Sequence, residues 1–376
     1  MKQARMLMLA ASSLAVSAGA HAQVADLVTA FDAGSRTLAF GGTDHMTGAD
    51  TLASVYNPAG LGYLSQRQIG LAVRNFPQSK TVVTGDLVPS GAERLSSTGD
   101  TGPRGLSHVG FVLPLGNEGA RGSVGIALTT GGQMRDERVA GQGLTEGGVS
   151  ASNYAQLLKN RTDFVTVGYG KSANEGGFSW GASLVYARNN TVNNRSGVPS
   201  GATQYEELSS GWGGILGLMF VPRSNPNVSF GLSYRSQISL KANSGNILLY
   251  DKIPARLAGG VTVRKDGFRG GKDYMVIGAE VQHYFDGGDG VFFDRDPQTV
   301  FGVGLEYNYS HSSVRIPVRI GYNFVQAGGF AYGSRNAFTY GIGFRPNNSD
   351  WGLDLSFGKP TGGGSDVGLS LSYRFK

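Results

Sequence analysis

From about residue 67 to the C-terminus, apolar and polar residues alternate one by one. Between Asp366 and Lys376 one face carries Val367, Leu369, Leu371, Tyr373 and Phe375, and the other Gly368, Ser370, Ser372 and Arg374. Val228–Leu240 repeats the pattern, with Val228, Phe230, Leu232, Tyr234, Ile238 and Leu240 on one side and a single interruption at Ser236. A period of two is that of a β-strand with one apolar face. Fourteen such segments follow one another, among them 122–131, 162–171, 177–191, 211–222, 226–241 and 251–264. Their alternating cores of about ten residues match the length a tilted strand needs to cross a bilayer. An even number returns the chain to the side on which it started.

The connections sort themselves by length. Joins after the first, third and fifth segments run to roughly 30, 30 and 19 residues, whereas those after the second, fourth and sixth are the short Gly116–Arg121, Ser172–Gly176 and Arg223–Asn225. Bacterial barrels have short periplasmic turns and long outer loops in this way. Aromatic residues gather near segment ends (Trp180, Trp212, Tyr307, Tyr309, Tyr322, Phe324, Trp351, Tyr373, Phe375), as interfacial girdles do. The expected fold is all-β: a transmembrane antiparallel β-barrel of about 14 strands over residues 67–376. An open edge in hydrocarbon leaves amides unpaired at several kcal/mol each, so the first segment must pair with the last.

The N-terminus reads differently. Lys2 and Arg5 precede an apolar run from Met6 to Val16, and small residues flank His21, so residues 1–22 are read as a signal peptide cleaved before Gln23. Residues 23–66 lack alternation and carry Gly34, Gly41, Gly42, Gly48 and Gly60. A barrel of this strand number leaves a lumen wide enough to leak unless something fills it. The segment 23–66 is therefore expected to be an N-terminal hatch, or plug, inside the barrel.

Composition narrows the function. The chain has 60 Gly in 376 residues, well above the usual share of about 7%, and only 16% charged residues. With no Cys, disulfide scaffolds, thiolate metal sites and Cys nucleophiles are excluded. The net charge of +6 falls to +4 once Lys2 and Arg5 are removed, and no basic run interleaved with aromatics points to nucleic acid. Five His residues are scattered, and His311-Ser312-Ser313 has no acid to orient its imidazole. No phosphate-cradling, dinucleotide or zinc motif stands in context, so neither an enzyme nor a cofactor or metal is expected. One outer loop, with Asp286, Asp289, Asp294 and Asp296, has the oxygen ligands a hard cation takes, but lacks the fixed spacing of a known loop.

Thr37-Leu38-Ala39-Phe40-Gly41-Gly42-Thr43 leads through Gly48–Tyr56 to Asn57-Pro58-Ala59-Gly60-Leu61. This succession resembles the hatch of FadL-type outer-membrane transporters, the long-chain fatty acid and aromatic hydrocarbon channels. Gly231-Leu232-Ser233-Tyr234-Arg235-Ser236, Ile253-Pro254-Ala255 with Gly259, and Arg319-Ile320-Gly321-Tyr322 resemble later strands of the same family. The resemblance implies a fourteen-stranded barrel with an N-terminal hatch. Such a barrel admits hydrophobic molecules at the outer face and releases them sideways through a gap in the wall. It further implies an outer-membrane location among lipid and lipopolysaccharide, a hydrophobic small-molecule ligand, and delivery by barrel-assembly machinery. The aromatic that such machinery reads stands here at Phe375, one position before the end. The outer loops depart from the pattern: 141–153 and 189–203 are rich in Gly, Ser and Asn rather than apolar. Related barrels serve secretion or surface anchoring, so a second reading is a non-transporting barrel that binds protein partners through its outer loops.

Candidate site residues follow. Asn57, Pro58, Ala59 and Gly60 are expected to form a rigid bend in the hatch with a gating role, Pro fixing φ and Asn capping a turn. Arg235, Glu306, Arg315 and Arg319 fall on polar strand faces, where a charge must be paired or wet, and are expected to form a lumenal network tying hatch to wall. Pro317 removes a ladder bond and marks a strand kink.

Overall fold

The computed structural model describes residues 34–75, 79–83, 95–100, 104–140, 145–146, 149–150, 154–173, 177–196, 203–242, 251–289, 294–328, 334–360 and 365–375. The expected signal peptide and residues 23–33 lie outside them. Fourteen strands build the wall: β1 Gln68–Asn75, β2 Arg104–Pro114, β3 Ser123–Ala140, β4 Tyr154–Ser172, β5 Phe178–Ser196, β6 Thr203–Phe220, β7 Val228–Arg235, β8 Arg256–Phe268, β9 Asp273–Tyr284, β10 Gln298–Ser310, β11 Val314–Val325, β12 Arg335–Pro346, β13 Trp351–Pro360 and β14 Asp366–Arg374. Each is antiparallel to the next. β1 closes onto β14 in a register running from Gln68↔Arg374 to Asn75↔Val367.

The two faces are inverted relative to a water-soluble protein. Leu216, Ile320 and Phe338 are 63%, 57% and 69% exposed, while Arg256, Glu306 and Arg319 are 1%, 4% and 2% exposed. Large apolar side chains outside and charges inside suit hydrocarbon without and polar filling within, so this is an outer-membrane-type barrel. Aromatic pairs ring the short-turn end: Tyr169 with Trp180 at 5.8 Å, Phe344 with Trp351 at 5.6 Å and Tyr373 with Phe375 at 4.8 Å between centroids.

Two departures from simple alternation have physical causes. β3, β4 and β6 extend eight or nine residues, and β5 five, beyond the apolar segments 122–131, 162–171, 211–222 and 177–191 toward the outer loops. Arg135-Asp136-Glu137-Arg138 still pairs with Lys159–Gln156, because above the bilayer the ladder needs no apolar face. The stretch 226–241 is not one strand. β7 ends at Arg235, and Ser236 exchanges bonds with Gly214 through its N–H to the carbonyl (2.9 Å) and its Oγ from the N–H (3.0 Å). The chain then turns inward and pairs Ile238–Ser239 with Lys252–Ile253, burying Ile238 and Ile253 completely. Ile253-Pro254-Ala255 accordingly precedes β8 rather than opening it.

Residues 34–66 lie inside the cylinder as two short helices, α1 Ser35–Ala39 and α2 Ala53–Tyr56, and a 3-10 helix at Pro58–Tyr63. Ala53, Leu61 and Leu64 pack on Val112 of β2. Glycine makes the close approach possible. Gly41 has φ +76°, and a Cβ there would stand 2.2 Å from the Val303 carbonyl oxygen. Opposite it, a Cβ on Gly321 would meet the Gly41 nitrogen at 2.2 Å. Backbone thus lies on backbone where inner segment meets wall.

The inverted faces predict the effect of a charge on the outside. Ile320→Arg is expected to destabilise the barrel in lipid vesicles by about 2–4 kcal/mol, as for a cation near the bilayer midplane. Reversible urea unfolding followed by tryptophan fluorescence measures it, and an unchanged midpoint would contradict the membrane placement.

Candidate functional site

The inner segment is held by a wall built to receive it. Short helices leave carbonyls without partners, and serines of the wall donate to them. Ser183 Oγ bonds the Ser54 carbonyl, Ser233 Oγ the Tyr56 carbonyl, Ser179 Oγ the Ala59 carbonyl and Ser123 Oγ the Leu64 carbonyl, each at 2.7 Å. Arg256 also donates to the Tyr56 carbonyl at 2.9 Å.

Asn57 is fully buried and fastens three pieces of chain. Its Nδ2 donates to the Met46 carbonyl (2.6 Å) and to the Leu218 carbonyl of β6 (3.1 Å), while its Oδ1 accepts from the Ala59 N–H (3.2 Å). Pro58 occupies the first position of the 3-10 helix, where a missing donor costs nothing. Ala59 and Gly60 are buried behind it. The four residues form one bend clamped to the wall.

Carboxylates hold the other half. Glu280 of β9 accepts from the N–H groups of His45 (3.0 Å) and Met46 (3.1 Å), from Gln282 Nε2 (2.7 Å), and pairs with His45 Nδ1 (2.8 Å). A chain of alternating charges runs from the inner segment into four strands. Asp44 pairs with Arg36 at 2.9 Å, Arg36 approaches Glu306 at 3.5 Å, Glu306 pairs with Arg319, Arg319 with Asp354 at 2.7 Å, and Asp354 with Arg345. Of the residues expected in the lumenal network, Glu306 and Arg319 meet here. Arg315 stands apart, its guanidinium 5.9 Å from the Tyr274 ring. Arg235 lies elsewhere, donating to the Pro254 carbonyl at 3.0 Å. Glu280, His45, Arg36, Asp354 and Arg345 were not singled out from sequence. Their only signal there is charge or imidazole at a lumen-facing position or beside the Gly41-Gly42 turn.

The wall has a weak place between β2 and β3. Their ladder runs from Pro114↔Ser123 to His108↔Thr129. It resumes only at Asp100↔Arg135, in a hairpin of 79–83 and 95–100 that extends the wall outward. Among the described residues, Thr130–Met134 therefore have no ladder partner on the β2 side. Both flanks bulge at that level: register shifts between Ala72 and Val73 opposite β2, and between Thr130 and Gly132 opposite β4. Bulges end pairing and re-aim side chains. A Cβ on Gly131 would stand 2.0 Å from the Phe164 ring, which turns into the lumen at the gap. From there an apolar band crosses the inner wall. Phe164 lies beside Ala187 and Ala187 beside Gly211 in register, Ile238 packs over Gly211, and Ile253 pairs with Ile238.

No protein-family model matches the sequence, and no curated protein matches it. Solved structures do. A Pseudomonas aeruginosa FadL homologue aligns over 91% of this chain and 98% of its own, with a TM-score of 0.60 at 14% identity. The Ralstonia pickettii toluene transporter TbuX aligns over 91% and 98%, TM-score 0.57, at 16% identity. The P. putida toluene transporter TodX aligns over 90% and 98%, TM-score 0.57, at 15% identity. The fold is that of the FadL-type channels.

Within this FadL-type fold Pro317 interrupts pairing on one side only. The β11–β12 ladder lapses at Ile316 and Pro317, between Arg315↔Arg345 and Val318↔Ile342 in one unchanged register, while Asn308↔Pro317 continues on the β10 side. Pro317 is buried and faces inward against Gly343. The proline ring therefore fills the lumenal side of its own break, and among the described residues the longer unpaired stretch of wall lies at β3. The acidic outer loop lies partly outside the described residues, and no group of three or more potential metal ligands occurs among those described.

Glu280 offers the sharpest test of docking. Glu280→Ala leaves two N–H groups and an imidazole without their acceptor and is expected to weaken docking by about 3 kcal/mol. Hydrogen exchange at residues 45–47 should accelerate while that of β9 and β10 is retained. Burial pushes the Asp44 carboxyl up to about 6, against the pull of Arg36. Its proton is thus held more tightly docked than free. Docking gains strength as pH falls from about 7 to 4 and loses that gain as pH rises through 6. Asp44→Asn should abolish this dependence in proteinase K digestion at pH 5 and 7.5.

Proposed function

We propose that this barrel is an outer-membrane channel for passive uptake of hydrophobic small molecules, long-chain fatty acids or similar hydrocarbons. Residues 23–66 act as its hatch. The observation that carries the reading is the conjunction at β3, where an interrupted wall ladder meets an apolar lumenal band beside a filled lumen. A lumen plugged by a polar-bonded segment offers an apolar molecule no dry route along the axis. The band from Ile253 to Phe164 is the inward surface it can wet, and the band ends at the gap. The ligand enters at the outer loops, spreads along the band as the hatch shifts about its Asn57 clamp, and passes sideways into the bilayer. Solved channels of the same fold, among them toluene transporters, support this substrate class.

Gating on this reading divides between clamp and gap. Asn57→Ala frees the bend and Phe164→Ala clears the inner side of the gap, so both should raise the uptake rate, each by about fivefold if a conformational step limits it. Uptake of radiolabelled oleate and of toluene by cells expressing wild type or variant, against empty vector, measures this. Uptake by wild-type cells equal to that of empty-vector cells for both compounds would overturn the proposal.

A further inference from the structure

At the short-turn end of the barrel, the outward apolar rows of three adjacent strands each run into polar groups. The row of β8 passes from Val261 and Val263 to Lys265, that of β9 from Ile277 and Met275 to Asp273, and that of β10 from Val303 and Leu305 to Tyr307 and Tyr309. Lys265, Met275 and Tyr307 stand side by side in register. Val263, Ile277 and Leu305 form the next row toward the middle of the bilayer.

A built cluster occupies this corner. A carboxylate on the outward face of a membrane barrel is costly unless it is paired, and the Asp273 side chain is completely buried by its partners. Arg269 donates to it from Nε (2.9 Å) and Nη2 (3.0 Å), Tyr307 from its hydroxyl (2.7 Å) and Ser310 from its N–H (2.8 Å). The Arg269 guanidinium also donates to the Ser310 carbonyl and stacks on the Tyr309 ring at 4.2 Å, yet 42% of the side chain stays exposed. Its backbone sits at φ +49°, a left-handed conformation that L side chains rarely adopt. Such a conformation persists only where the surroundings over-determine it. Phe268 packs edge-on against Tyr307 at 6.1 Å, and the Lys265 ammonium lies 5.9 Å from the Phe268 ring centre. The corner is thus an aromatic floor with Lys265 on one side and Arg269 on the other.

Charge decides what such a corner attracts. Between 264 and 273 stand four cations, Arg264, Lys265, Arg269 and Lys272, and two carboxylates. Asp266 pairs with Arg264 and Asp273 with Arg269. Lys265 and Lys272 have no ion pair among the described residues. The flanking turns add no acid: 221–227 carries Arg223, and 311–313 carries His311. We infer that this corner is a binding site for an anionic phospholipid of the inner leaflet. Its phosphodiester lies on Lys265 and the exposed edge of Arg269, its glycerol on Phe268 and Tyr307, and its acyl chains along Val263, Ile277 and Leu305. Basic groups at a membrane surface draw anionic headgroups, and a phosphate accepts charge-assisted hydrogen bonds from ammonium and guanidinium alike. Aromatic residues of an interfacial belt set the headgroup depth. The continuity of the cluster with the lipid-facing row favours a lipid over a soluble acidic protein. The site lies on the outside of the wall, so it does not rest on the uptake reading.

Native mass spectrometry of the purified mature protein in maltoside micelles tests the site, with dioleoyl phosphatidylglycerol titrated against dioleoyl phosphatidylcholine. The first phosphatidylglycerol should bind at least about fivefold more tightly than phosphatidylcholine. Replacing Lys265→Gln and Lys272→Gln together, which breaks no ion pair among the described residues, should remove that preference. Inorganic phosphate and a hexaglutamate peptide should not displace the lipid. Crystals grown with phosphatidylglycerol brominated on its acyl chains should show anomalous bromine peaks beside Val263 and Ile277, a readout that needs no variant. Equal retention of the two lipids, a preference unchanged in the double variant, displacement by hexaglutamate or by phosphate, or bromine only elsewhere on the barrel would overturn the inference.

Discussion

A polypeptide in hydrocarbon must bond every amide it exposes there, and that requirement shapes each part of this molecule. It forces β1 onto β14, since any other arrangement leaves two edges in lipid. Closure with fourteen strands then creates a lumen too wide to be filled by wall side chains alone. Something must occupy it, and the occupant brings its own unpaired groups. The serines at 123, 179, 183 and 233 answer that second need, each donating to a carbonyl that the short helices of the inner segment leave open. Barrel and filling are thus two solutions to one problem, the wall by ladder and the inner segment by side chain.

The same requirement gives meaning to the break at β3. An edge left without ladder partners among the described residues from Thr130 to Met134 is costly in lipid, and the flanking bulges concentrate the break at one level of the wall. Gly131 lets the Phe164 ring close over the inner side. Weakness of the wall and apolar character of the lumen coincide there, and again where the chain turns inward after β7 and, among the described residues, leaves Gly211–Gly213 of β6 without ladder partners on that side, beside Ile238. The space lined by Arg36, Glu306, Arg319, Arg345 and Asp354 is crowded with guanidiniums and carboxylates and would cost an apolar molecule its solvation advantage.

How much of this was legible in the sequence depends on what generates each feature. Strand number, facing and loop sorting arise from local alternation, so all fourteen strands were visible in the pattern. The interruption at Ser236 marks the one place where β7 leaves the wall, although the pattern alone read straight through it to Leu240. Strand lengths above the membrane were not visible, because Arg135–Arg138 need no apolar face to remain in the ladder. Glu306 and Arg319 could be placed by facing, since a lumenal charge needs a partner. Their partner Arg36 could not, lying some 270 residues away from Glu306 in a segment without periodicity. The pairing of Glu280 with His45 is hidden for the same reason. The gap at β3 is a missing bond, and the absence of a bond leaves no trace in composition.

Pro317 shows why a local breaker need not mark an exit. Its lost ladder bond faces β12, but its ring points into the lumen against Gly343, so the void that a missing bond would open is filled by the residue that removed it. At Gly131 the reverse holds: the bulged residue has no side chain, and the space is closed by a ring from the neighbouring strand. A ring supplied by a neighbouring strand turns about its own side-chain bonds, whereas a pyrrolidine fixed to its own backbone cannot leave without moving the strand. The two interruptions thus differ in which chain supplies the stopper: a neighbouring strand at β3, and the interrupted strand itself at Pro317.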